Sequence, residues 1–127
     1  LLTLYVKSGI GKLSAYCGVV SAGVVSVAGI AFLKGDSKDI IEHTLVNGLA
    51  SLSGIVCDGA KPSCAGKIAI SLDGAFMGYK QARLNKNYQK GDGLVAYTVD
   101  DTIRSIGTVA KGMKETDVVI LNEMLKH

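Results

Sequence analysis

The chain carries no charged residue between Lys12 and Lys34, and this uncharged run limits the possible folds more than any other feature. A stretch of about twenty residues has the length of a membrane-spanning helix. The run is rich in Gly, Ala and Ser and has leucine only at its ends, so its hydrophobicity is thin for a lipid environment. Small residues every three to four positions let neighbouring helix backbones approach closely. We therefore expect a buried central helix, with a membrane span as the alternative.

Most of the remaining chain has apolar residues at helical intervals, which predicts a compact all-α domain around the glycine- and alanine-rich helix. The valines of residues 19–27 also favour a strand, but paired turn signals are missing around them. A loop is expected over residues 85–93 and a last helix over residues 115–125. The other helix start and stop signals are, in chain order, Gly35, Asp36–Ser37, Pro62, Asp100 or Asp101, and Gly112.

Length, charge and cysteine number narrow the class of protein. At 127 residues the chain is expected to form a single domain, residues 1–127. Its net charge of +3 is mild and its basic residues are scattered, which argues against nucleic-acid binding. Three cysteines are too few for a disulfide scaffold and no secretory signal begins the chain, so we expect a reducing, cytoplasmic setting. Because a helix-like segment begins at Leu1 rather than Met, we expect a fragment of a longer protein.

The three cysteines are the main candidates for chemistry. Cys57 and Cys64 lie on either side of a turn that contains Pro62, and Cys17 lies far upstream. We expect Cys17 in the first turns of the first helix, Cys57 at the C-terminal end of the second, and Cys64 in the first turn of the third. Soft thiolates beside a helix start can hold zinc, an iron–sulfur cluster or a reactive sulfur. Alternatively, all three are small buried hydrophobic residues.

The spacing of these cysteines is unusual for zinc, because the common C-x2-C motif is missing. His43 and His127 are expected to be solvated or capping residues rather than ligands. Three thiolates without a fourth ligand suit an iron–sulfur cluster that has one open iron.

Several segments resemble the L-cysteine desulfidase branch of the L-serine dehydratase alpha-chain family. The resemblance covers nearly the whole chain. Its most specific parts are the cysteine turn I-V-C-D-G-A-K-P-S-C-A at residues 55–65 and the G-M-K-E-T-D motif at residues 112–117. Supporting parts are Tyr16-Cys17-Gly18 and the D-T-I-R-S-I-G segment at residues 101–107.

The resemblance implies an oxygen-sensitive 4Fe–4S cluster that serves α,β-elimination on L-cysteine or L-serine, giving pyruvate and ammonia, with sulfide from cysteine. Carried onto this chain, it implies Cys17 and Cys57 as cluster ligands and Cys64 as a third ligand or a supporting thiol. It also implies that the chain is the C-terminal portion of a longer protein, whose N-terminal portion completes the pocket, and that the fragment alone is inactive.

Residues of the cysteine turn are candidates for substrate contact. These candidates are Asp58, Lys61 and Ser63, for which a purely structural role in the turn is the alternative. Gly59 is expected to supply backbone freedom. The base that removes the α-proton is not identified by the sequence, and a homo-oligomer is possible. The competing function is a non-catalytic structural or assembly domain in which the cysteines are incidental.

Overall fold

The structure is a computed structural model that describes Leu4 and residues 14–127. The helix expected at the start of the chain lies outside these residues, apart from Leu4. The described part is all-α, as predicted, and contains one isolated β-bridge. Its five helices are α1 (Gly18–Leu33), α2 (Lys38–Leu52), α3 (Pro62–Arg83), α4 (Val99–Gly112) and α5 (Lys114–Met124).

The uncharged run forms α1, a helix packed against both α2 and α3. One face of α1 is buried through Val20, Val24 and Val27, each of which is fully inaccessible to solvent. The prediction of a central helix is therefore confirmed and the strand alternative is wrong. Across the described residues, none of the helices combines the length and hydrophobicity that crossing a membrane requires. Gly35 ends the helix as expected, with φ +76°.

Among the described helices, α2 and α3 pack closely along a contact that we call the α2–α3 seam. At Gly78 an added methyl group would lie 2.9 Å from the backbone nitrogen of Gly48, so a larger residue does not fit. Asn47 is completely buried beside this contact, and its side-chain amide donates to the carbonyl of Gly78 at 3.1 Å. The seam therefore combines close backbone approach with a satisfied polar group.

The last two helices extend this core. α4 packs on α2 and buries Ile103 and Ile106, whereas α5 contacts only α4 among the described helices. The expected cap at Asp100 or Asp101 is wrong, because the side chain of Thr98 accepts a hydrogen bond from the N–H of Asp101 at 3.0 Å. The acidic pair lies in the first turn instead, where negative charge is favourable.

Several other predicted boundaries agree with the structure, whereas those at Cys17 and Cys57 do not. Ser37 caps α2 by accepting from the N–H of Ile40. The loop expected over residues 85–93 lies between α3 and α4, α4 ends at Gly112, and α5 covers nearly the predicted range.

Candidate functional site

Cys17 and Cys57 lie beside an isolated antiparallel bridge, which pairs the residues that precede them, Tyr16 and Val56. The N–H of Cys17 donates to a carbonyl of the opposite segment at 3.2 Å, and the N–H of Cys57 returns the same kind of bond at 2.6 Å. Two parts of the chain that are far apart in sequence are thereby held side by side. We call the bridge, its two cysteines and the start of α3 the cysteine end.

The bridge corrects two predicted positions. Cys17 is not inside the first turns of α1, because its backbone is extended (φ −75°, ψ 120°) and it is the N-cap residue. Cys57 is not at the end of α2, because that helix ends at Leu52 and the chain then turns before it pairs with the other segment. Bridge pairing, rather than helix packing alone, brings these two cysteines together.

Both cysteines lie on the same face of the bridge. Alternate residues of an extended segment point to opposite sides, so Cys17 and Cys57 face away from Tyr16 and Val56, which are paired directly. The two cysteines are diagonal neighbours across the bridge, a relation that places them roughly 7–8 Å apart. Cys17 is buried, whereas Cys57 is partly accessible.

Cys64 reaches the cysteine end from α3. Pro62 occupies the start of this helix and Cys64 lies in its first turn, as predicted, with its N–H bonded to the carbonyl of Lys61 at 2.8 Å. Among the described residues no side chain caps α1 or α3. The N–H of Val20 is likewise bonded to the carbonyl of Cys17, so only part of the N–H groups at these two helix starts is left for other acceptors.

Lys67 joins the bridge to α3. Its ammonium group donates to the carbonyl of Val56 at 2.9 Å and to the carboxylate of Asp58 at 2.5 Å. The hydrogen bond from Lys67 lowers the pKa of Asp58 below its usual range. The same bond raises the pKa of Lys67. Both groups are therefore charged at neutral pH.

Burial governs the electrostatics of Cys17. Removal from water raises the pKa of this thiol, and the charges of Cys57 and Cys64 raise it further. The neighbouring N–H of Val19 and the ammonium of Lys67 act in the opposite direction. The pKa of Cys17 is therefore raised on balance, and burial is the main cause.

Tyr16 is one of the two paired residues of the bridge, and its hydroxyl is buried. Burial, with a smaller effect of Cys17, raises the pKa of Tyr16 to about 12. Its hydroxyl has no hydrogen-bond partner among the described residues. The phenol is therefore neutral throughout the physiological pH range.

The candidates for substrate contact have different surroundings. Asp58 is half-buried and bonded to Lys67, whereas Lys61 and Ser63 are exposed at the start of α3. Gly59 has φ +91°, which agrees with the backbone freedom expected of it. Lys61 and Ser63 are therefore open to a ligand, while Asp58 is already engaged.

A separate cavity of about 490 Å³ lies between the start of α2 and the segment before α4. It contains His43, which is half-buried with its Nε2 3.6 Å from a carboxylate oxygen of Asp39. His127 is exposed at the end of the chain. Neither histidine lies in the cysteine end, and this larger cavity has no cysteine in its wall.

A smaller apolar groove of about 280 Å³ runs between α1 and α3 beside the cysteine end. Its walls are formed by Val19, Ala22, Gly23, Ser26, Ile68 and Leu72. Because Val19 closely follows Cys17 and Ile68 follows Lys67, the groove begins next to the thiols.

Comparison with known proteins identifies the family. The serine dehydratase alpha chain family model matches residues 1–122. The chain belongs to the serine dehydratase alpha chain family. Similar members include UPF0597 proteins from Desulfitobacterium hafniense (55% identical over 100% of this chain), Finegoldia magna (52% over 99%) and Treponema denticola (48% over 99%).

This chain spans about 30% of the length of each of these three relatives. No solved structure matches the chain.

Sequence reasoning assigned no role in the site to Lys67 or Tyr16. Lys67 follows Cys64 by one helical turn, and residues at this spacing share a helix face. That relation was a usable signal for Lys67. Tyr16 had no such signal, because its burial results from a bridge that only the folded chain creates.

Proposed function

We propose that this chain supplies the thiolate ligands of a 4Fe–4S cluster in an enzyme that catalyses α,β-elimination on L-cysteine or L-serine. Membership of the serine dehydratase alpha chain family supports a dehydratase-related role. The observation that carries the proposal is the bridge at Tyr16 and Val56, because it sets Cys17 and Cys57 on one face. Cys64 in the first turn of α3 is the third proposed ligand.

We interpret Cys17, Cys57 and Cys64 as ligands of a cluster rather than of a single ion. Within the described residues, no three Cys, His, Asp or Glu side chains lie close enough to hold a single metal ion. The ligands of a 4Fe–4S cluster bind different irons, so they lie farther apart than the ligands of one ion. Diagonal neighbours in an antiparallel pair are in general roughly 7–8 Å apart, and this wider spacing is what we propose for Cys17 and Cys57 on the two sides of the bridge.

The chemistry proposed for the site divides between the cluster and the chain. A cluster with one iron free of protein ligands supplies a Lewis acid for the leaving group on the β-carbon. The elimination removes the α-proton to a base and breaks the β-carbon bond to sulfur or oxygen, whose electron pair leaves with sulfide or hydroxide. The resulting enamine tautomerises and is hydrolysed to pyruvate and ammonia.

We assign substrate binding to the exposed start of α3. Lys61 and Ser63 present an ammonium and a hydroxyl group there, beside helix amides that no described side chain caps. A helix start with a nearby positive charge favours a carboxylate. The substrate carboxylate is therefore proposed to bind at Lys61 and Ser63.

Asp58 is proposed to hold Lys67 rather than to remove the α-proton. Its pKa is lowered by the bond to Lys67, and a carboxylate of lowered pKa is a weak base. We assign the base and the remaining wall of the pocket to the rest of the parent protein, since the chain spans about 30% of its relatives' length.

The test is anaerobic turnover by the full-length parent with L-cysteine and with L-serine, followed by pyruvate release. Cys17→Ser and Cys57→Ser preserve the size of each side chain but remove the thiolate. We expect each substitution to reduce turnover at least a hundredfold, while circular dichroism shows an unchanged helical content.

A packing role for the cysteines predicts the opposite result. If the serine variants retain the rate of the parent, the ligand roles are refuted. If the parent releases no pyruvate from either amino acid, the proposed activity is refuted.

A further inference from the structure

Lys67 is unusually confined for a lysine near the surface of a helix. Its side chain is only 20% exposed, whereas Lys61 in the preceding turn is exposed. Confining a long, flexible side chain costs conformational entropy. Specific contacts must therefore offset that cost.

Those contacts lie on either side of Cys57. The ammonium group of Lys67 binds the carbonyl of Val56 and the carboxylate of Asp58, the two residues that flank Cys57 in sequence. Lys67 itself follows Cys64 by one turn on α3. A single side chain thus connects the backbone around one cysteine with the helix that carries another.

The same contacts extend to the third cysteine through the bridge. Val56 is paired with Tyr16, and the N–H of Cys17 bonds across to the segment that contains Val56. A hydrogen bond that holds the carbonyl of Val56 therefore also holds the segment to which the N–H of Cys17 is bonded.

We propose that Lys67 is a positioning residue that fixes the mutual arrangement of Cys17, Cys57 and Cys64 and provides their positive counter-charge. Its place in a cluster-binding enzyme rests on the proposed function above. The fixation of the bridge by Lys67 is a property of the polypeptide and is testable without a cluster.

The experiment compares three variants of the full-length parent. Lys67→Met removes the charge and both hydrogen bonds but keeps the length of the side chain, and Lys67→Arg keeps the charge. The matched control, Lys61→Met, removes a positive charge from the exposed start of the same helix.

The first measurement is amide hydrogen exchange in the cluster-free protein, over the segment from Ile55 to Asp58. We expect exchange about tenfold faster in Lys67→Met, because the bonds that fix this segment are lost. We expect no change in Lys61→Met. Equal exchange in Lys67→Met and the parent refutes the positioning role, and so does an equal acceleration in Lys61→Met.

The second measurement is the midpoint potential of the anaerobically reconstituted cluster. Loss of a nearby positive charge disfavours the reduced, more negative state, so we expect a lower potential in Lys67→Met and recovery in Lys67→Arg. An unchanged potential in Lys67→Met refutes the counter-charge. Faster exchange in Lys67→Met together with a parent that binds no iron supports the positioning role and refutes the proposed function.

Discussion

The two halves of α3 serve different purposes. From Ser71 onwards the helix has a continuous buried face, and at Gly78 it touches α2 so closely that no side chain fits. Before Ser71 the helix is mostly exposed, and its partly buried side chains are those of Cys64 and Lys67. One helix therefore contributes to the α2–α3 seam at one end and to the cysteine end at the other.

Within α3, the residues that stabilise the fold and the residues proposed to bind a ligand therefore lie in different halves. In the seam, the side chain of Asn47 is buried and satisfied by hydrogen bonds. At the cysteine end, Cys57 and Cys64 are partly accessible free thiols, and the N-cap side chains of α1 and α3 make no capping bond. Substitutions in the seam should therefore change the free energy of unfolding, and substitutions of the thiols at the cysteine end should mainly change binding.

The largest effect on stability is expected from Gly78→Ala. The new methyl group would lie 2.9 Å from a backbone nitrogen of α2, and a backbone atom cannot move aside as a flexible side chain can. We expect a loss of about 3 kcal/mol in the free energy of unfolding, as measured by urea denaturation. The control is Gly66→Ala in the other half of α3, where an added methyl group meets nothing, and a gain of up to about 1 kcal/mol is expected. Equal effects would contradict the division of the helix.

A smaller effect on the free energy of unfolding, confined to alkaline pH, is expected from the ionisation of Tyr16. The pKa of the Tyr16 hydroxyl is raised to about 12 in the folded chain. The contribution of Tyr16 to the free energy of unfolding is therefore complete below pH ~10, which is the pKa of a tyrosine in the unfolded chain. It is then lost as the pH rises through the folded value, because the unfolded chain ionises first.

This loss should approach about 2 kcal/mol in unfolding free energy between those pH values. Tyr16→Phe should abolish that part of the pH dependence, whereas Tyr97→Phe, at an exposed position, should leave it. A decline that persists unchanged in Tyr16→Phe would show that the Tyr16 phenol is not the source.

The smallest effects compare capped and uncapped helix starts. Ser37→Ala removes the side-chain cap of α2 and should cost about 1 kcal/mol in the free energy of unfolding. Lys61→Ala changes the N-cap of α3, where the lysine side chain makes no capping bond in the described structure, and should change stability by less than about 0.5 kcal/mol. Thermal unfolding of both variants provides the measurement. A larger loss for Lys61→Ala would mean that the start of α3 is stabilised by its own N-cap.

The sequence predicted the parts of the fold that depend on local signals. The helical periodicity, Pro62 at the start of α3 and Ser37 at the start of α2 are such signals, and each agrees with the structure. It therefore also placed Cys64 correctly, because the nearby proline marks the helix start.

The bridge at Tyr16 and Val56 could not be predicted in the same way. It joins two very short segments across the sequence, and neither is long enough to show the alternation of a strand. The apolar patterns of α1 and α2 therefore predicted that Cys17 and Cys57 belong to these helices, whereas both residues lie outside them. The contacts of Lys67 were missed for the same reason, since the carbonyl of Val56 is reached only in the folded chain.

The most direct test of the cysteine end is the iron and acid-labile sulfide content of the full-length parent after anaerobic reconstitution. We predict about four of each per chain in the parent, and a loss of most of both in Cys17→Ser and in Cys57→Ser. A folded parent without iron, or serine variants with the full content, would contradict the assignment of these thiols as cluster ligands.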